Sequence, residues 1–135
     1  MSGGRILSLP RWGQWLCLAA LAFGAMALHA QEAFPNRPLK VIVPQPPGGG
    51  FDFVARVLAD KLAVQLKQPV VVENRTGSGT LVGTDAAAKA APDGYTLLTG
   101  SVSNLALNPG LYANLPYDPL RDFEPVGLAL SLIHI

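Results

Sequence analysis

Three short runs of β-forming residues, Leu39-Lys40-Val41-Ile42-Val43, Val70-Val71-Val72-Glu73 and Tyr95-Thr96-Leu97-Leu98-Thr99, are separated by helical patterns. In the first interval Asp52 precedes Val54, Leu58, Leu62 and Leu66, which with Val57 fall on one side at helical spacing, while Arg56, Asp60, Lys61 and Lys67 stay outside it. That pattern predicts an amphipathic helix, broken at Gln68-Pro69 because the residue before a proline is pushed out of helical geometry. In the second interval an alanine-rich stretch from Thr80 to Ala91 predicts another helix, closed by Pro92-Asp93-Gly94. The Val70 run has almost no polar alternation, which suits a strand covered on both faces. A β-α-β-α-β order with short connections calls for an α/β fold: a parallel sheet with right-handed crossovers and helices packed on it.

Beyond Gly100 the pattern weakens. Ser101 to Asn108 offers the start of a helix, Pro109, Pro116, Pro119 and Pro125 make the following stretch irregular, and Phe123 to Ala129 offers a fourth strand. The chain has no internal repeat or low-complexity tract.

The first thirty residues read as an export leader. Arg5 and Arg11 form a positive head and Leu16 to Leu28 an apolar run, shorter than the roughly 20 residues of a membrane span. Cleavage fits either after Ala27, behind Ala25-Met26-Ala27, or after Ala30. Residues 1–30 are therefore set apart as a cleaved signal peptide, and the rest is expected to be exported. Without Arg5 and Arg11, the ten basic residues fall to eight against nine acidic ones, a charge of −1 and no basic field for nucleic acid. The only cysteine, Cys17, lies within the leader, so neither disulfides nor a cysteine metal site are expected in the exported part.

In a parallel sheet the loops after the strands gather at one edge, where open α/β sheets bind ligands. Here they are Pro46-Pro47-Gly48-Gly49-Gly50, running into Phe51, then Thr76-Gly77-Ser78-Gly79, and Gly100-Ser101-Val102-Ser103-Asn104. Glycine lets a ligand approach the backbone, and a helix opening directly from such a loop presents unpaired N–H groups and a dipole that favour an anion. The hydroxyls of Thr76, Ser78, Ser101 and Ser103 and the amide of Asn104 add hydrogen-bonding groups. A single glycine loop reads equally as a tight turn; three at one edge point to a site. Pro47, Gly48, Gly49, Gly50, Phe51, Thr76, Gly77, Ser78, Gly79, Ser101, Ser103 and Asn104 are thus the candidate ligand residues. Asp52 would repel an anion but can cap a helix start, and capping is the reading adopted. Arg75 is either an anion partner or a solvated surface residue.

Gly77-x-Gly79-x-x-x-Gly83 supplies an alternative, an exported α/β enzyme using a nucleotide cofactor. Its spacing departs from the dinucleotide fingerprint and it follows the second strand instead of the first. His29 lies in the leader that cleavage removes and His134 at the chain end, and no nucleophile-base arrangement can be assembled from the loops. No catalytic residue, metal site or cofactor is expected.

Pro38-Leu39-Lys40-Val41-Ile42-Val43-Pro44, Pro46-Pro47-Gly48-Gly49 with Asp52 and Ala55-Arg56, and Gln68-Pro69-Val70-Val71-Val72-Glu73-Asn74-Arg75 form an ordered motif set. It continues through Ala91-Pro92-Asp93-Gly94-Tyr95-Thr96-Leu97-Leu98, Asn108-Pro109 with Leu111-Tyr112, and Leu115-Pro116-Tyr117-Asp118-Pro119 with Asp122-Phe123. From about Pro35 to Ala129 the chain resembles the tripartite tricarboxylate transporter substrate-binding proteins, also called Bug receptors. The resemblance implies a type II periplasmic-binding-protein-like fold, a non-enzymatic, monomeric, two-lobed receptor that closes around a small organic anion. It would hold a carboxylate through backbone groups and water, and deliver it to membrane transporter subunits or a sensor kinase. Gly50 stands where the family usually has a small hydroxyl residue, Phe51 where a small residue is common, and Thr80 where a further glycine is frequent. Against that family, residues 31–130 are expected to be the N-terminal part of the first lobe only, truncated, with 131–135 a non-native tail. A part-lobe buries little apolar surface and is expected to be poorly stable alone.

Overall fold

The computed structural model describes residues 34–130. The leader over 1–30 with Cys17 and His29, and the tail over 131–135 with His134, lie outside the described residues.

The expected alternation is present: β1 (Leu39–Val43), α1 (Gly50–Leu66), β2 (Val70–Asn74), α2 (Leu81–Ala88), β3 (Thr96–Leu98) and α3 (Asn108–Leu111). A 3-10 turn, Ser78–Thr80, leads into α2, and a π-helical turn, Ser103–Leu107, leads into α3. The three strands form a parallel sheet in the order β2-β1-β3, with Val41 opposite both Val72 and Leu97. Past the paired strands the ladder runs on toward the loops, Arg75 N–H donating to Val43 O and Thr99 N–H to Ile42 O, both at 2.9 Å.

As the central strand, β1 carries most of the core: Leu39, Val41, Ile42 and Val43 are all buried. Val41 and Val43 pack with Ala55 of α1, and Val70, Val72 and Leu97 close around them. The inward face of α1 is Asp52, Ala55 and Ala59, not the stripe expected from the larger residues. Val57 and Leu58 are 43% and 42% exposed. Small alanines at i and i+4 let the helix lie close to the sheet, and the leucines and valines, more numerous than one face needs, flank that contact. Lys67 ends α1 in the left-handed region, with φ 53°.

The packing of α2 depends on Gly83. A Cβ there would run into the Arg75 carbonyl oxygen and lie 2.8 Å from Pro44 Cβ, so the helix meets the ends of β1 and β2 backbone to backbone. Phe123 to Ala129 is not a strand. It has no ladder partner among the described residues, Val126 and Leu128 are largely exposed, and Phe123 instead meets the buried Tyr117 ring edge-on at 6.2 Å. A β-rich segment without a neighbouring ladder leaves its backbone groups to solvent and gains nothing from extension.

Candidate functional site

With the strand order β2-β1-β3, the chain leaves β1 toward one side and β3 lies on the other, so the loops after β1 and β3 diverge. That is the topological switch point at which open α/β sheets bind ligands. The site is organised around three anchors, one at each strand end.

The first anchor is Asp52. The first intrahelical bond of α1 runs from Phe53 N–H to Gly49 O at 2.9 Å, which leaves the N–H groups of Gly50, Phe51 and Asp52 at the open helix start. Gly49 is the residue at the cap position, and no side chain caps it. Asp52 is therefore not the cap expected from sequence. As the third residue of the helix it turns its carboxylate backward, accepting from Gly48 N–H at 2.8 Å, Asn74 Nδ2 at 2.9 Å and Arg56 Nε at 3.0 Å. A second Arg56 nitrogen lies 2.9 Å from the other carboxylate oxygen. The guanidinium fork, then the Gly48 N–H and the Asn74 amide, hold the Asp52 carboxyl well below the usual carboxylate range; the same pairing raises Arg56. The negative charge beside the loop is thus matched and turned away from the free N–H groups. Gly48 spends its N–H on Asp52, and Pro47 has none to give, which leaves Gly49, Gly50 and Phe51 as the accessible backbone donors of this loop.

Asn104 is the second anchor, and its predicted role as a ligand donor does not survive. It is fully buried, and its side chain is committed: Oδ1 accepts from Ser101 N–H at 2.6 Å and Ser101 Oγ at 2.9 Å, while Nδ2 donates to Thr84 Oγ1 at 3.1 Å. Asn104 N–H in turn reaches Ser101 Oγ at 3.5 Å. This reciprocal bonding is a capping box with asparagine at the third position. Ser101 is correspondingly half-buried, whereas Ser103 remains exposed.

The third anchor is Asn108, also buried. Its Nδ2 donates to Gly79 O at 3.1 Å, Thr80 Oγ1 at 3.2 Å and Tyr117 Oη at 3.2 Å, and Tyr117 Oη donates to Asn104 O at 2.6 Å. The loop after β2 is thereby bound to the helical run after β3. Thr76, Gly77, Ser78 and Gly79 are exposed, and Gly77, Ser78, Gly79 and Thr80 all have positive φ. For serine and above all β-branched threonine that conformation is strained, and the Asn108 bonds hold it. Gly83 is occupied with packing against Pro44 and Arg75. Arg75 is half-exposed and paired with Glu73; Lys40 and Arg75 together lower the Glu73 carboxyl.

Sequence reasoning missed three residues that tie the loops together: Gln45, Asn74 and Arg56. Asn74 Nδ2 donates to Gln45 O at 3.2 Å, its Oδ1 accepts from Arg56 at 3.1 Å, and Gln45 Nε2 donates to Ser101 Oγ at 3.4 Å. An open groove of about 560 Å³ lined by Tyr112, Leu115, Tyr117 and Asp122 includes none of the candidate loop residues.

The family profile described as Tripartite tricarboxylate transporter family receptor matches residues 54–131, more than half of the chain. This chain belongs to that receptor family. The match begins within α1, after Asp52, and takes in β2, α2, β3 and α3. Protein BugT of Bordetella pertussis is 50% identical over 106 residues, which cover 78% of this chain and 32% of BugT. Among solved structures, the periplasmic binding protein BugD superposes with a TM-score of 0.63 at 41% identity, over 70% of this chain and 31% of BugD. MatC from Rhodopseudomonas palustris, with bound malate, superposes with a TM-score of 0.66 at 40% identity, over 69% of this chain and 32% of MatC. The chain thus spans about a third of the length of the relatives it matches. The superpositions on the periplasmic binding protein BugD and on MatC bear out the α/β fold expected from sequence, and the comparisons do not support the cofactor enzyme considered for the Gly77 loop.

Proposed function

We propose that this protein is a periplasmic receptor that captures a small carboxylate-bearing metabolite for a tripartite tricarboxylate-type transporter, without catalysing a reaction. In this reading residues 1–30 are an export signal and residues 31–130 form the N-terminal part of the first of two lobes. The observation that carries it is the start of α1: the accessible N–H groups of Gly49, Gly50 and Phe51 lie in and just after a glycine loop at the switch point, and Asp52 is neutralised by Arg56. Fixed N–H donors at a helix start stabilise a carboxylate without a salt bridge. The malate bound by MatC is a carboxylate of the class proposed. Delivery to membrane subunits follows from the family and is part of the same proposal.

The test is calorimetry of the full-length protein against a panel of mono- and dicarboxylates, beside the variant Gly50→Val. A Cβ at Gly50 meets nothing within 4 Å, so the added side chain enters open space beside the loop and obstructs a ligand approaching it. Wild type is expected to bind a member of the panel and Gly50→Val to lose at least tenfold in affinity while melting at a similar temperature. A panel without a binder, or a variant that binds as wild type does, would overturn the proposal.

A further inference from the structure

Four successive residues after β2, Gly77, Ser78, Gly79 and Thr80, have φ of 140°, 45°, 63° and 80°. Glycine takes such values freely. Serine and threonine do not, and a β-branched residue in the left-handed region persists only where its surroundings over-determine it.

Those surroundings form a ring of hydrogen bonds beneath the loop. Asn104 Nδ2 donates to Thr84 Oγ1, and Thr84 Oγ1 donates in turn to Thr80 O at 2.8 Å. Asn108 Nδ2 donates to Gly79 O, Thr80 Oγ1 and Tyr117 Oη, and Tyr117 Oη donates to Asn104 O, which closes the ring. Thr80 is therefore held at both its carbonyl and its hydroxyl. With its proton used on Asn104 O, Tyr117 Oη can only accept from Asn108, as Gly79 O must, so turning the Asn108 amide over would set its oxygen against two acceptors. Thr84, Asn104, Asn108 and Tyr117 are all buried, whereas Thr76, Gly77, Ser78 and Gly79 are exposed at the ligand edge. The bonds thus act from beneath on a surface that is open to a ligand.

Resting on the carboxylate-receptor reading, in which this loop faces the ligand, we infer that Asn108 is a positioning residue for binding. It touches no ligand itself; its bonds to Gly79 and Thr80 hold the loop after β2 in the left-handed form that a ligand meets. Without them the strain at Ser78 and Thr80 lets the loop relax, and only the fraction of molecules still in the left-handed form can bind. Thr80 sets much of that strain, so Asn108 and Thr80 act on affinity through each other.

The experiment measures binding to the full-length protein at equilibrium and by stopped flow. The probe is the tightest binder of wild type among the mono- and dicarboxylates of the panel, malate and adipate included. Asn108→Leu, close in volume, is expected to weaken binding by roughly tenfold or more. The loss should lie in the association rate, since fewer molecules are competent, whereas a lost ligand contact would speed dissociation. Adding Thr80→Gly, which takes the left-handed form without strain, is expected to bring affinity back to within about threefold of wild type. Should Asn108→Leu fail to fold, two variants at Thr80 decide. Thr80→Val keeps the β-branch and drops the hydroxyl that Asn108 holds, and is expected to bind several-fold more weakly than Thr80→Gly. Wild-type affinity in Asn108→Leu, a loss carried by dissociation, a loss that Thr80→Gly does not restore, or equal binding by Thr80→Val and Thr80→Gly overturns the inference and leaves the carboxylate reading standing. Failure of wild type to bind any member of the panel defeats the carboxylate reading and this inference with it.

Discussion

Asn104 Nδ2 donates to Thr84 Oγ1 at 3.1 Å, with both residues fully buried. That bond ties the run after β3 to helix α2, and because Asn104 Oδ1 also closes the capping box with Ser101, one side chain sets the position of two site loops. Replacing Asn104 by Leu keeps the volume, strands the Ser101 N–H and leaves the Thr84 hydroxyl with its bond to Thr80 O alone. Each buried polar group left without a partner costs about 1–3 kcal/mol. Urea denaturation of Asn104→Leu is expected to show a loss in that range or above, and Asn104→Asp, which keeps the acceptor but sets a buried carboxylate oxygen against Thr84 Oγ1, a loss at least as large.

The capping box was only half legible in Ser101-x-x-Asn104, since the usual form carries glutamate or glutamine where asparagine stands here. Read only as polar loop residues, both looked like ligand donors, because a hydrogen-bonding side chain looks the same in sequence whether it faces a ligand or a neighbouring loop. The alternation of strands and helices was legible because short β-forming runs and the 3.6-residue helical period depend on residues close in the chain. The tie from Asn74 to Gln45 and Asp52 joins residues 29 and 22 positions apart and has no local signature. The buried face of α1 was misjudged for a related reason: large apolar residues dominate a helical pattern, but the close approach to a sheet falls to alanines.

Gly83→Ala tests whether α2 needs a glycine. The added Cβ collides with backbone at Arg75 and with Pro44, neither of which can rotate away. Overpacking of this kind costs about 1–3 kcal/mol. Gly110→Ala in α3 is the matched control, since its Cβ meets nothing within 4 Å, and there alanine is expected to be neutral or to stabilise by about 0.4–1 kcal/mol. Thermal melts of the two variants should diverge in opposite directions from wild type.

Asp52 makes a pH prediction whose sign follows from its lowered carboxyl. The unfolded chain binds the proton more readily than the folded one, so the stabilisation is complete well above the ordinary aspartate value of 3.8 and is lost as pH falls below it. Asp52→Asn removes this dependence. The variant is expected to be less stable than wild type at pH 7, and the gap between their urea midpoints should narrow from pH 4 to pH 2. Glu73, also lowered, keeps some acid sensitivity in the variant. A gap that stays constant across that range would show that Asp52 acts through packing instead of charge.

Phe51 combines two features that one substitution separates. Its N–H belongs to the open start of α1, and its ring is 44% exposed beside the glycine loop. Phe51→Ala leaves the backbone donor in place and removes only the ring. Because the ring is largely at the surface, stability is expected to change by no more than about 0.5 kcal/mol. If the ring lines the ligand space, short carboxylates should keep their affinity, held by the N–H groups, while bulkier ones gain where the ring had excluded them or lose where it had packed against them. Calorimetry with malate, adipate and phenylacetate distinguishes these cases. A uniform loss for all three would instead mean that the ring orders the helix start, making it a support for the N–H donors and not a wall of the site.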